Sequence, residues 1–290
     1  MPEYLAPVKL DDALKIKGQR GAQARVIAGG TDLILRMRDG VHSPQLLLDL
    51  RKASLNNISS HTGHMHLGAY LTLAQILENS ELQNSFPSLL DACREFAGPP
   101  IRNRATLGGN IVNASPAADL TPPLIAYDAD IVLVSSTGER VISLADFFTG
   151  PGQSVIQPEE ILTEVCLPIT PENTAASFIK LGQRRSMAIS IVNLCTRITL
   201  DAGGIVNTAR IVLGSVAATP VRAIEAESLL TGRELTDDLI DQAARKAREE
   251  TSPITDVRAS EDYRSQMVVV LVRRALCANR DMLLSDDSND

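Results

Sequence analysis

Two short stretches of this chain place glycine pairs where chemistry could use them. In the first, the β-branched run Val26-Ile27 passes through Ala28 into Gly29 and Gly30. Thr31 and Asp32 then lead into residues at helical spacing, Leu33, Ile34 and Met37. Consecutive backbone N–H groups at such a strand-to-helix junction form an anion site. The same residues also suit an ordinary tight turn, and they are not the G-x-G-x-x-G fingerprint of dinucleotide folds. In the second stretch, Arg102 and Arg104 precede Thr106-Leu107-Gly108-Gly109-Asn110. Here again two glycines let backbone N–H groups approach a ligand that side chains would exclude, with a positive φ expected at Gly109. Asp119 follows, flanked by Pro116 and Pro122, where a carboxylate is suited to accept hydrogen bonds from sugar-like hydroxyls. Two such loops and one carboxylate fit a dinucleotide with a pyrophosphate and a polyol. Two unrelated turns and a capping aspartate are the plain alternative.

Composition removes several other classes. The chain has 290 residues, 44% apolar and 22% charged, which suits two domains with ample core. A net charge of −7 without a basic tract tells against nucleic acid as a partner. Cys93, Cys166, Cys195 and Cys277 are far apart and form no C-x-x-C, so neither a disulfide framework nor an iron–sulfur cluster held by this chain is expected. His61, His64 and His66 invite a metal reading, and His64 and His66 share a face if they lie on a strand. No carboxylate or cysteine joins them at a matching spacing, so no metal is expected. The acidic, proline-broken N-terminus does not read as a signal peptide, and no apolar run approaches membrane-spanning length. A cytoplasmic location without a membrane span follows as the expectation.

The elements that must carry these loops alternate. A helix is expected over 11–20, strands at 25–28, 45–50 and 64–68, and helices at 32–37, 73–78 (capped by Thr72) and 88–96. A hairpin follows over 129–144, then a Gly/Pro-rich loop at 150–158 and a linker at 168–174. Beyond the linker, 176–181, 189–200 and 205–215 read as three strands. Pro220 is then expected to open a helix, Thr236 caps the next, and 261–280 forms the last. Ser285–Asp290 reads as an acidic, disordered tail.

The stretches AGGTDL (28–33), ATLGGNIVNASPAADLTPPL (105–124), PEEILTEV (158–165) and FIKLGQRRSMAIS (178–190) occur in order across the chain. In them the sequence resembles the FAD-binding medium subunits of the molybdenum hydroxylases, the group of xanthine dehydrogenase and aerobic carbon monoxide dehydrogenase. The resemblance implies an α+β fold. A two-subdomain α/β FAD-binding region of the PCMH type would span 1–172 (about 1–55 and 56–172), and a three-stranded antiparallel sheet with a helix bundle would span 173–284. It also implies that Val26–Leu33 and Thr106–Asn110 surround the FAD pyrophosphate, that Phe96 lies near the flavin, and that Asp119 holds a ribose or ribityl hydroxyl. Leu162 and Lys180 would sit beside the isoalloxazine or adenine portions, although Lys180 by its residues alone reads as a solvated edge lysine. Arg184 and Arg185 are left out of the site.

The function implied is electron transfer. A large subunit with molybdenum cofactor would oxidise the substrate. A small subunit with two [2Fe-2S] clusters would relay electrons to FAD on this chain, and an external acceptor would take them, in a dimer of heterotrimers. The cysteine-bearing insertion of some relatives has no counterpart in this sequence. A stand-alone flavin reductase and a non-redox FAD- or nucleotide-binding module are the rival readings. The lack of a separate Rossmann fingerprint weighs modestly against the first.

Overall fold

The apolar runs near the N-terminus pair as parallel strands in a computed structural model that describes residues 1–184 and 186–286. β1 (Glu3–Leu5) and β2 (Ala24–Ile27) flank β3 (Leu46–Asp49), in the order β1-β3-β2. Helix α1 (Leu10–Arg20) makes the crossover and turns Ala13, Leu14 and Lys17 inward. Its Asp11 and Asp12 stand in the first turn and Lys17 and Arg20 in the last, matching the helix dipole. The six-residue α2 (Leu33–Arg38) leaves the end of β2 through the first glycine pair.

A second, antiparallel sheet follows. β4 (Ile58–His61) and β5 (His64–Gly68) lead into α3 (Leu73–Glu78), where Thr72 and Gln75 form a reciprocal capping box. The chain continues through α4 (Ser80–Ser85), α5 (Pro87–Glu95), α6 (Pro99–Arg102), α7 (Leu107–Val112) and α8 (Thr121–Ala126). It returns as the hairpin β6 (Asp130–Ser135) and β7 (Gly138–Ser143), a small ribbon β8 (Phe148–Gly150) and β9 (Gln153–Ser154), and β10 (Ile161–Pro168). The order β4-β5-β10-β6-β7 makes β10 central. Met65, Leu67, Ile131, Leu133, Val165 and Leu167 fill one face, and His64, His66, Asp130 and Glu164 stand on the other. The register slips between Leu162 and Glu164, so a bulge re-aims the start of β10 beside the site.

The third sheet holds β11 (Thr174–Gly182), β12 (Ser190–Leu200), β13 (Val206–Gly214) and the two-residue β14 (Val221–Arg222) in antiparallel order. Helices α9 (Ile224–Leu230), α10 (Asp237–Glu249) and α11 (Glu261–Asp286) belong to its core. β12 is buried from Ser190 to Thr199 because α11 packs against it and α8 reaches it as well. Ser177 donates to Asn279 Oδ1 at 2.5 Å, and Asn279 donates to Thr196 Oγ1 at 2.9 Å, so the polar groups at the sheet–helix contact are satisfied.

Three expectations need correction. Pro220 precedes β14 rather than opening a helix, since pairing of Val221 and Arg222 with β13 holds the chain extended until Ala223. The 150–158 loop contains part of the β8–β9 ribbon. Helix α11 runs on through Ser285 to Asp286, beyond the expected stop at 280; the expected tail at 287–290 lies outside the described residues, as does Arg185.

Candidate functional site

The two glycine pairs meet. A Cβ on Gly29 would fall on the carbonyl oxygen of Arg104, and would lie 2.6 Å from the Arg104 carbonyl carbon and 3.0 Å from Ala105 N. Only glycine permits this approach. Arg104 Nε donates to Gly29 O at 3.3 Å, and Tyr70 Oη donates to Ile27 O at 2.9 Å, so the strand end is held from two sides. Gly30 has φ +73°, in the region that favours glycine. Among the described residues, nothing accepts from the N–H groups of Gly29, Gly30, Thr31 or Asp32. Four successive free donors around a left-handed glycine make an anion-binding concavity.

The second pair works differently. Leu107 N donates to Leu71 O at 2.9 Å, Gly108 N to Ala69 O at 2.8 Å, and Gly109 N to the capping Thr106 Oγ1 at 3.1 Å. These donors are spent inside the protein. Gly109 is not among the residues of positive φ, contrary to expectation. The glycine at 108 is required by packing, because its Cβ would lie 2.7 Å from Ala69 Cβ and 3.2 Å from Leu162 Cδ2. The side-chain oxygen of Asn110 is buried without a partner among the described residues, and its residue lines the cleft; a buried acceptor of this kind calls for a donor.

Both loops line one cleft of about 1020 Å³, at the upper end of the ~300–1,000 Å³ usual for small-molecule sites. Of the residues expected there, Val26, Ala28, Gly29, Gly30, Thr31, Asp32 and Leu33 line it, as do Thr106, Gly108, Gly109 and Asn110. Phe96, Asp119 and Leu162 complete the set. Ile27 faces a smaller adjoining hollow with Tyr4, Asp49 and Arg51. Leu107 is buried in the core and does not line the cleft. Lys180 does not line it either, nor is it a solvated edge lysine: its side chain is 4% exposed.

The reason is an ion pair. Lys180 Nζ donates to Asp119 Oδ2 at 2.6 Å and to Glu95 O at 3.0 Å. Asp119 Oδ1 accepts from Ser190 Oγ at 2.5 Å and from Asn193 Nδ2 at 2.9 Å. Asp119 therefore ties the loop before α8 to β11 and β12, with acceptor capacity left on Oδ2. Its first duty is to hold the third sheet against the cleft.

Among residues not foreseen from the sequence, Lys17 and Arg25 supply the charge, and His42, whose lowered imidazole is neutral at pH 7, supplies a polar N–H beside them. Lys17, Arg25 and His42 line the cleft. Burial, then the neighbouring Arg25, brings the Lys17 ammonium down to about 8. Burial, then Arg36, lowers Arg25, and burial, then Arg25, lowers His42. An anionic ligand would relieve this crowding of positive charge. Lys17 was the legible one: it stands four residues after Ala13 on the buried face of α1. Four free N–H donors, a basic wall and a long cleft fit a diphosphate-bearing dinucleotide.

Comparison with known proteins agrees with this geometry. The family described as "FAD binding domain in molybdopterin dehydrogenase" matches residues 1–170, and the "CO dehydrogenase flavoprotein C-terminal domain" matches residues 177–278. The chain belongs to the FAD-binding medium subunits of the molybdenum hydroxylases. This medium subunit is 29% identical to the xanthine dehydrogenase FAD-binding subunit of Escherichia coli O157:H7, over 94% of each chain. It is 31% identical to subunit alpha of the 6-hydroxypseudooxynicotine dehydrogenase complex of Paenarthrobacter nicotinovorans, over 94% of this chain and 93% of that one. Among solved structures, a chain of reconstituted CO dehydrogenase from Oligotropha carboxidovorans superposes with a TM-score of 0.93 at 29% identity, covering 97% of this chain and 98% of the other. The medium subunit is thus an oxidoreductase component with an α+β fold, and FAD is its cofactor. Among the described residues no helix is long and apolar enough to cross a membrane.

Proposed function

We propose that this medium subunit seats FAD with the pyrophosphate on the free N–H groups of Gly29, Gly30, Thr31 and Asp32. The flavin end would point toward Phe96 and Leu162. The single observation that carries this is the run of unspent donors inside a basic cleft. Bound FAD supplies the capacity to accept and release electrons singly or in pairs. The chain's own part is positional. The N–H row and the Lys17 and Arg25 cations hold the diphosphate, with His42 beside them as a neutral donor, and the bulged start of β10 sets Leu162 against the ring site. Asp119, locked by Lys180, Ser190 and Asn193, offers its remaining lone pair to a hydroxyl. The Asn110 side-chain oxygen offers a further acceptor. The region to about residue 172 would act as the FAD-binding unit, and 173–284 as the unit that closes its open side.

Within an assembled enzyme the chain would take electrons from the [2Fe-2S] clusters of a small subunit and pass them to an external acceptor. A large subunit would carry molybdenum cofactor, and the whole would form a cytoplasmic dimer of heterotrimers. Stopped-flow reduction of the assembled complex tests this. Substrate is expected to bleach the iron–sulfur absorbance and then the flavin. In a complex stripped of FAD, iron–sulfur bleaching persists while delivery to the acceptor stops. Acceptor turnover by the isolated chain would point instead to a stand-alone reductase, and FAD that cannot be reduced through the partners would point to a non-redox module.

A further inference from the structure

The histidine-rich strand that the sequence left without partners acquires them in the fold. β5 and β10 are neighbours, with His66 in register with Cys166 and Gly68 with Glu164. On the sheet face opposite the core, His66 Nδ1 lies 2.8 Å from Glu164 Oε1 and 3.4 Å from Cys166 Sγ, and Sγ lies 3.3 Å from that same carboxylate oxygen. An imidazole nitrogen, a carboxylate oxygen and a sulfur thus converge in one small triangle. The partners are 98 and 100 residues apart in sequence, so no local spacing could reveal them. No carboxylate or cysteine stands at a matching sequence spacing to these histidines, as the letters show; strand pairing brings Glu164 and Cys166 to His66 instead.

We propose that His66, Glu164 and Cys166 form a binding site for a zinc-class divalent cation, separate from the FAD cleft. Thiolate, imidazole and carboxylate are the ligand types such an ion takes, with three protein ligands and a fourth position open to water. Zinc–ligand distances of about 2.0–2.3 Å place tetrahedral ligands roughly 3.3–3.6 Å apart. The three atoms need only spread by a few tenths of an ångström to admit the ion. Glu164 is 28% exposed and His66 16% exposed along their side chains, which leaves an entry from solvent. The His66 ring makes its polar contacts through Nδ1 alone, since Nε2 is buried without a partner among the described residues. His61 stacks on that ring, centroids 3.8 Å apart and 7° between planes, and fixes its orientation.

One proton leaves when the ion enters. Burial, then the hydrogen bond to Glu164, pushes the Cys166 thiol up to about 12, so the cysteine binds by releasing its proton to solvent. The imidazole binds through Nδ1 with its own proton on Nε2. The ion would cross-link β5 to the central strand β10 on the outer face of the sheet.

The test uses the full chain with FAD bound. After chelator treatment it is dialysed against zinc chloride in a chelator-buffered solution, and retained zinc is measured by mass spectrometry. Stoichiometric zinc is expected in the wild type and in Cys277→Ser. Cys166→Ser, His66→Gln and Glu164→Gln are each expected to weaken binding by more than the ~10–100-fold typical of losing an outer partner of a metal ligand. Their flavin absorbance should stay at the wild-type level, which reports that they fold. X-ray absorption on the wild-type zinc form reads the site without any variant, and sulfur together with nitrogen or oxygen in the shell is expected. Failure of the wild type to retain zinc, a shell without sulfur, or zinc held unchanged by Cys166→Ser would each overturn the proposal.

Discussion

Replacing Gly29 by alanine probes the contact between the two loops most directly. The added Cβ would stand 2.6 Å from the Arg104 carbonyl carbon and 3.0 Å from Ala105 N. Ordinary carbon contacts begin near ~3.5 Å, so the loops must part by roughly 1 Å. Overpacking of this kind costs about 1–3 kcal/mol of stability. The larger effect falls on the ligand. A hydrogen bond to a charged group contributes about 1.5–3 kcal/mol, so misaligning two of the four free N–H donors removes about 3–6 kcal/mol. That corresponds to a loss of FAD affinity of about 10²- to 10⁴-fold. The assay is titration of flavin-free protein with FAD, followed by fluorescence quenching, alongside thermal unfolding by circular dichroism. Gly40→Ala is the control. Gly40 has φ +76°, but a Cβ there would meet nothing within 4 Å, so the variant should lose about 1–2 kcal/mol through strain alone while keeping wild-type FAD affinity. Wild-type affinity and stability in Gly29→Ala would refute the close approach and the donor row built on it.

Three further outcomes follow from the same geometry. Asp119→Ala strands the Lys180 ammonium, 4% exposed, without its partner, and should destabilise by about 3–5 kcal/mol in urea unfolding; Asp119→Asn should cost less, and a loss below ~1 kcal/mol in the alanine variant would show that the pair is idle. Lys17 falls from 10.5 to about 8 in the fold, so its charged form is penalised fully below pH 8, and stability recovers as pH rises from 8 toward 10.5. Raising pH from 7 to 9 should therefore stabilise the wild type relative to Lys17→Met by about 1 kcal/mol, and an unchanged difference would remove Lys17 from the basic wall. FAD is expected to be held without a covalent link, so acid precipitation should leave the flavin in the supernatant; flavin in the pellet would contradict this.

Much of the chain was legible because its causes are local. Thr72 marks a helix start in the letters, and the helix begins at Leu73 as expected, with Gln75 completing the capping box in the fold. The run Leu46–Leu48 is apolar because parallel strands lie on both sides of it. The strand–glycine–helix order at 24–38 was plain in the letters. Pro220 misled because its local preference for a helix start was outweighed by pairing of the next two residues with β13.

What the letters could not carry were relations across the chain. Sequence spacing could not say that Gly29 is glycine because Arg104, 75 residues away, presses its carbonyl against it. Nor could it say that Gly108 and Gly109 serve packing and capping rather than donation, because the acceptors of those N–H groups lie on Ala69 and Thr106. Asp119 reads as a free carboxylate until the third sheet brings Lys180, Ser190 and Asn193 to it. His66 reads as a lone histidine until β10 sets Glu164 and Cys166 beside it. Backbone propensity and capping act over a few residues, and the sequence alone determined what depends on them. Hydrogen-bond saturation, burial and charge crowding are properties of neighbours in space, and only the pairing of strands and the closing of the sheets decided those.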